Sequence, residues 1–276
     1  GEFDEIRRCI ACNVCIDVIH SGPIRCTVNP AVGQEKELEI IPATRKKRVM
    51  VIGGGPGGMQ SAIVAAQRGH EVSLYEKEPQ LGGQWRLAAM PPHKAEFMEL
   101  VNYQSRQLAR LGVKVQLGEV VSALTVAAQQ PDVVIVATGA LPAALTGDEM
   151  KPGRVATARD ILRQQATAGR RVLVVGGGNV GLETAHFLAA QGKQVTVIEM
   201  TRNIGADVGE TMRYHLLYRL KGYRVKIFPA TRLKQVTESG VVVISNDVEK
   251  TWTEFDTVVL AVGARPANEM AEALKG

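Results

Sequence analysis

Aromatic residues make up only 4% of this 276-residue chain, and no apolar run reaches the roughly eighteen residues that a membrane-spanning helix needs. Cysteine is missing everywhere beyond position 26, and the start, Gly1-Glu2-Phe3, has neither an initiating methionine nor a basic segment followed by an apolar one. A signal peptide and a natural start are therefore not expected there, and a cytoplasmic protein without a membrane partner is. The shortage of rings also removes the platforms on which bases stack. Although the net charge is +5, Lys and Arg are scattered, so nucleic acid is not expected as a partner either. The excess positive charge suits anionic cofactors or an acidic partner protein.

What is present reads as an enzyme. Apolar residues at 45% and charged residues at 22% match an ordinary soluble globular chain, and the length predicts two compact units plus an appendage. The appendage holds all four cysteines, Cys9, Cys12, Cys15 and Cys26, and scattered structural thiols would not cluster in this way. Their spacing is C-x2-C-x2-C-x10-C. Its short first run lets three thiolates converge on one [4Fe–4S] cluster. Zinc is an alternative, although zinc sites more often show two separated C-x-x-C knuckles. Disulfides are a third, disfavoured by tight spacing in a reducing compartment. Residues 4–45 are irregular, contain Pro23, Pro30 and Pro42, and end at the charged stretch Arg45-Lys46-Lys47-Arg48. Order there is expected from bound metal and not from a core.

From Val49 the pattern becomes βαβ: the strand Val49–Ile52, a glycine turn, a helix carrying Met59, Ala62, Ile63 and Ala66, and the strand Glu71–Tyr75. A second helix is predicted between Lys94 and Leu111 with Gly112 as its stop, and the run from Asp132 to Gly139 reads as a buried parallel strand. The arrangement then repeats, with the strand Val172–Val175, a helix from Leu182 to Ala190, and the strand Gln194–Glu199. An internal duplication is the simplest account. A helix from about Asp207 to Lys221 precedes four strands, Tyr223–Phe228, Arg232–Thr237, Val241–Ser245 and Thr251–Phe255, predicted as an antiparallel meander turning at Asn246-Asp247.

Both glycine turns match G-x-G-x-x-G between a strand and a helix, the context that gives the motif its meaning. In the first, Gly53 makes the tight turn, Gly55 lets backbone approach a pyrophosphate, and Gly58 lets helix pack on strand, with Pro56 and Gly57 between them. The phosphates are expected at the positive helix end, and Glu76, followed by Lys77, stands where a carboxylate accepts hydrogen bonds from ribose hydroxyls. Gly83 and Gln84 follow, where small residues let backbone approach a flat cofactor. In the second turn the corresponding residues are Gly176, Gly178, Asn179, Val180 and Gly181, and Glu199 ends the next strand at the same interval. Its charge disfavours a 2′-phosphate, so NADH is expected over NADPH, softened by Arg202. Glu183 either reaches the nicotinamide end or forms a surface ion pair. His20, His70, His93, His186 and His215 have no catalytic company, and no catalytic side chain is assigned. Ala137, Thr138, Gly139 and Gly263 complete the candidate cofactor residues.

Taken together, Arg7–Cys15, Cys26–Pro30, the two turns, Leu81–Gln84 and Ala137–Gly139 resemble the C-terminal half of the 2,4-dienoyl-CoA reductase and trimethylamine dehydrogenase family of old-yellow-enzyme-like flavoproteins. The resemblance implies an α/β protein with two Rossmann-like domains of the glutathione-reductase type, the second inserted in the first. It implies a cluster segment at 4–45, an FAD or ADP domain at 46–153, an NAD(P)H domain at 154–262, and a truncated return at 263–276. It also makes Cys9, Cys12, Cys15 and Cys26 the cluster ligands. Reductases of this family pass hydride from NAD(P)H to FAD and single electrons through the cluster to FMN, held on an N-terminal TIM barrel. That barrel, as a domain or partner subunit, is the expected partner, with an electron-transfer protein as a further one. The cysteine spacing is nearer to the amine dehydrogenases, which hold ADP in the first site and pass electrons from FMN to the cluster. An ADP-binding relay without NADH activity is therefore the rival expectation. The intact second turn favours NADH.

Overall fold

The computed structural model describes residues 5–19, 22–143 and 154–275; His20 and residue 153, the expected end of the first nucleotide domain, lie outside them. The chain divides into two compact units. One consists of Gly1–Ala89, Lys94–Leu141 and Pro266–Gly276, and the other of Met90–His93 and Pro142–Arg265, so the second is inserted in the first. Among the described residues no helix is long and apolar enough to cross a membrane.

The first unit runs through α1 (Val14–Val18), β1 (Arg48–Ile52), α2 (Pro56–Gln67), β2 (Glu71–Glu76), α3 (Trp85–Ala88), α4 (Met98–Arg110), β3 (Lys114–Leu117), α5 (Ala123–Gln129), β4 (Val133–Val136) and β5 (Ala140–Pro142). Its parallel sheet has the order β3-β2-β1-β4, with Val51 opposite Leu74 on one side and Ile135 on the other. Because helices cover both faces, β1 is apolar and buried from Val49 to Ile52. Val49, Val51 and Leu74 pack on Met59, Ile63 and Leu108, while Met50, Ile52 and Tyr75 pack on Val121 and Val126. Truncating a fully buried Leu74 to Ala would cost about 2–5 kcal/mol. Gly112, at φ 68°, stops α4 as its position predicts.

Two expectations change here. The run from Asp132 forms a parallel strand, but all four residues of β4 are only half-buried, because β4 pairs with β1 alone and is the sheet's edge. The N-terminal segment also has a small core: Ile10 and Val28 are buried against Leu100, with Trp85 and Phe97 beside them. The aromatic pair stacks at 5.2 Å. The expectation of a coreless segment missed this because the partners are far away in sequence.

The second unit contains β6 (Val155–Thr157), α6 (Ala158–Leu162), β7 (Arg171–Val175), α7 (Asn179–Ala190), β8 (Gln194–Ile198), α8 (Glu210–Gly222), β9 (Lys226–Phe228), β10 (Thr231–Val236), β11 (Val241–Ser245), β12 (Val248–Trp252) and β13 (Thr257–Leu260). Then β14 (Ala264–Pro266) leads to α9 (Glu269–Ala273), which belongs to the first unit. A five-stranded parallel sheet, β6-β13-β7-β8-β9, carries α7, and a separate antiparallel sheet runs β10-β11-β12. Here β13, counterpart of β4, is flanked on both sides and fully buried.

The four-stranded meander is corrected to three strands. The stretch from Tyr223 shortens to β9, since α8 continues to Gly222 and Arg224 takes a φ of 59°, and β9 pairs with β8 in parallel. Apolar alternation cannot say which partner a strand takes. The last strand begins at Val248, not Thr251, because its exposed polar face hid it. Asn246 and Asp247, at φ 48° and 65°, form the expected two-residue turn. Both Rossmann-like units of the expected fold class are present.

Candidate functional site

In the first unit the turn between β1 and α2 is set by contact distances that only glycine tolerates. A Cβ on Gly53, at φ 113°, would lie 2.2 Å from the Ala137 oxygen, and one on Gly58 would lie 1.9 Å from the Gly53 oxygen. These two positions are packing requirements. Gly55 and Gly57 have no atom within 4 Å of a Cβ position, so the space above them is open. Gly55 is the N-cap of the twelve-residue α2, whose first N–H groups and dipole favour negative charge there.

Glu76 is buried, and both of its carboxylate oxygens are engaged: Gly54 donates to Oε2 at 2.7 Å and Glu78 donates to Oε1 at 2.9 Å. It holds the turn closed and keeps a carboxylate at the strand end. Lys77 is exposed. Gly82 donates to the Gly54 oxygen, which lays Gly83 against Gly55, a Cβ there being 3.2 Å from the Gly55 Cα. Gln84 turns aside to donate to the Ala140 oxygen at 2.6 Å. The Thr138 hydroxyl donates to Ala267 O at 2.7 Å, and Ala267 N–H donates to Gly139 O, so the β4 end is tied to the returning chain.

The second unit repeats the turn and its bonds to the strand-end carboxylate. A Cβ on Gly176 would lie 2.3 Å from the Ala261 oxygen, and one on Gly181 would lie 1.9 Å from the Gly176 oxygen. Gly177 donates to Glu199 Oε2 at 2.7 Å, Thr201 donates to Glu199 Oε1 at 2.8 Å, and Gly205 donates to the Gly177 oxygen. Gly178 caps the twelve-residue α7, which begins with Asn179 and Val180. Val180 is exposed, and so is Arg202. Gly263 has open space around its Cβ position. Glu183 is buried in α7, 8% exposed.

The strand starts repeat as well. Asp132 accepts from Arg48 N–H at 2.6 Å, and Asp256 accepts from Arg170 N–H and Arg171 N–H and pairs with the Arg171 guanidinium at 2.9 Å. The Arg48 N–H, and then the Arg48 charge, hold the Asp132 carboxyl below the usual range. The Arg171 side chain does the same for Asp256. The sequence reading assigned no role to these two acids, although each stands immediately before an apolar strand.

The four cysteines are free thiols, none in a disulfide. Cys9 is exposed and the other three are half-buried. Ala11 and Asn13 take left-handed conformations at φ 51° and 59°, coiling the loop around Cys12, and Ala11 N–H donates to Cys9 Sγ at 3.4 Å. Cys12 and Cys26 both pack against the Ile10–Val28–Leu100 cluster, and the Cys12 thiol donates to Thr27. Among the described residues no three metal-ligating side chains are gathered into one group.

Comparison with known proteins agrees with this geometry. The pyridine nucleotide-disulphide oxidoreductase family profile matches residues 47–275. An NADH oxidase of Thermoanaerobacter brockii is 38% identical over the whole chain, which covers 44% of that protein. An N,N-dimethylglycine/sarcosine dehydrogenase of Chromohalobacter salexigens is 33% identical, with 99% of this chain and 42% of that one covered. The solved structure of a 2-naphthoyl-CoA reductase superposes with a TM-score of 0.93 at 32% identity, covering 98% of this chain and 42% of that chain. The chain thus spans less than half the length of these relatives.

Proposed function

As a member of the pyridine nucleotide-disulphide oxidoreductase family, this chain is, we propose, the NADH-oxidising module of a longer flavoprotein or assembly. In this reading the first turn holds FAD, the second holds NADH, and Cys9, Cys12, Cys15 and Cys26 hold a [4Fe–4S] cluster that leads to FMN on a barrel domain or partner subunit. The observation that carries it is the repetition of a glycine-capped helix N-terminus beside a strand-end carboxylate, Gly55 with Glu76 and Gly178 with Glu199.

The residues fit these groups. Open space over Gly55 and Gly57 accepts a pyrophosphate that a side chain there would exclude. Four free thiols with no histidine among them are the donor set of an iron–sulfur cluster, and Cys12 and Cys26 already share one apolar cluster. Bound there, FAD supplies a two-electron acceptor for hydride and a one-electron donor to the cluster. The chain's own residues bind and orient: α2 and α7 place N–H groups at the phosphates, and Glu76 and Glu199 accept from ribose hydroxyls. Glu199 also repels a 2′-phosphate, which favours NADH. Free thiols suit a cytoplasmic setting. In this reading the cluster segment is residues 4–45, the FAD domain 46–153 with the return 263–276, and the NADH domain 154–262, while the compact units themselves divide at 141/142 and 265/266. The relatives' names, NADH oxidase and 2-naphthoyl-CoA reductase, and their greater length support a reductase with a further domain.

Anaerobic reconstitution with iron, sulfide and FAD, followed by NADH, tests the reading through the visible spectrum. Flavin bleaching and cluster reduction are expected; the absence of both overturns it. A second reading, an ADP-binding relay of an amine dehydrogenase, is favoured by the Asp207 carboxylate, which lies 3.1 Å from the Cβ position of Gly178, and by the likeness to the dimethylglycine/sarcosine enzyme. Nucleotide extracted from the denatured protein separates them: FAD supports the first and ADP the second.

A further inference from the structure

The two halves keep the same positions through the turn, the strand-end carboxylate and the loop behind it. Leu81, Gly82, Gly83 and Gln84 recur at one constant interval as Ile204, Gly205, Ala206 and Asp207. Leu81 abuts Gly54 and Ile204 abuts Gly177, and Gly82 and Gly205 donate to the Gly54 and Gly177 oxygens, at 2.8 and 2.7 Å. At the next positions the halves part. Over Gly55 there is open space, and Gln84 is turned away to Ala140. Over Gly178 stands Asp207: both its oxygens are 3.1 Å from the Cβ position of Gly178, and Oδ1 accepts the Asn179 N–H at 2.8 Å.

We propose that Asp207 is an internal anion that occupies the pyrophosphate place of the second turn and must leave before NADH binds. The inference rests on the reading of that turn as the NADH site. A carboxylate at a helix N-terminus satisfies the same N–H groups and the same dipole that a phosphate does. Two anions cannot share that place: the second glycine of the motif is where backbone and pyrophosphate come into contact. Asp207 is exposed and lies in the loop between β8 and α8, so it leaves by rearranging that loop and without unpacking a strand. Beside the seated loop, Arg213 of α8 has its Nε buried without a hydrogen-bond partner, and its stem lies 3.4 Å from the Cβ position of Gly205. The asymmetry suits the two roles. A resident flavin needs an open first site, whereas a coenzyme that exchanges at every turnover is served by a site whose empty state has its own ligand.

The apparent affinity for NADH is then reduced by the fraction of molecules with Asp207 withdrawn. Titration of NADH into the protein, followed by coenzyme fluorescence and by stopped-flow association, reads this without turnover. Asp207→Ala is expected to tighten NADH binding on the order of tenfold, mainly through faster association. Asp207→Asn keeps an acceptor for the Asn179 N–H but loses the charge, so a gain of only a few-fold is expected. Tighter binding in both variants, or binding that appears only in the variants, supports the proposal. If the wild type binds NADH and Asp207→Ala binds it equally or more weakly, Asp207 is not a competitor, while the NADH reading stands. If neither the wild type nor either variant binds NADH, the NADH reading and this inference fall together.

Discussion

Gly54 donates its N–H to Oε2 of the buried Glu76 at 2.7 Å, so the carboxylate at the end of β2 is built into the turn whose ligand it is proposed to meet. Glu76→Ala would leave the Gly54 and Glu78 N–H groups without that partner. A loss of about 2 kcal/mol in the unfolding of the first unit is expected, together with loss of bound flavin. Denaturant titration and the FAD content of purified protein measure the two effects. Full FAD retention would remove Glu76 from the binding site.

The glycines of the first turn separate packing from ligand binding. Gly58→Ala would place a Cβ 1.9 Å from the Gly53 oxygen, so misfolding of the unit is expected. Gly55→Ala meets nothing within 4 Å. Its melting temperature without cofactor should stay within an equivalent of roughly 0.5 kcal/mol of the wild type, while FAD retention falls sharply. Equal FAD retention in Gly55→Ala would mean that no pyrophosphate approaches that position.

In the second unit, Glu199→Ala should narrow the preference for NADH over NADPH several-fold. The Gly177 and Thr201 amides lose their acceptor at the same time, so both affinities fall and their ratio is the readout. Steady-state kinetics with each coenzyme provides it, and an unchanged ratio assigns the selection to another residue.

Asp132 and Asp256 carry an acid limb of stability. Both carboxyls are held below the usual range, Asp132 first by the Arg48 N–H and Asp256 first by the Arg171 side chain. A depressed folded value means that the contribution is complete above the unfolded value near 3.9 and is lost as pH falls through the lower folded values. Melting temperatures of Asp132→Asn and Asp256→Asn should therefore fall less steeply than the wild type below about pH 4. Parallel curves would show that neither group is linked to folding.

Each of Cys9→Ser, Cys12→Ser, Cys15→Ser and Cys26→Ser should lower the iron content and visible absorption of anaerobically prepared protein, and retention in any one excludes that thiol as a ligand. Melting of the cofactor-free protein should barely change for the exposed Cys9. It should drop for Cys12 and Cys26, which pack on the Ile10–Val28–Leu100 cluster.

Short-range rules made much of the molecule legible. The apolar runs at Val49–Ile52 and Val172–Val175, the helix-opening glycines and the strand-end acids Glu76 and Glu199 are spaced by the geometry of one strand, one turn and one helix, so their pattern survives in the linear sequence. The Asn246-Asp247 turn was readable for the same reason: both residues tolerate positive φ. What failed were the questions of partnership. Apolar alternation in Lys226–Phe228 is the same whether the neighbour is β8 in parallel or a hairpin strand, and only the sheet chose β8.

By itself, therefore, the sequence determined the duplicated dinucleotide-type fold and the clustering of the four thiols, because each is written in residues close together along the chain. The tertiary structure alone decided that β4 is an edge while β13 is a centre, that Ile10 and Val28 find Leu100, and that Asp207 rather than open space stands over Gly178. Those outcomes depend on contacts between residues remote in sequence, whose distances are set by the whole packed unit and not by any local propensity.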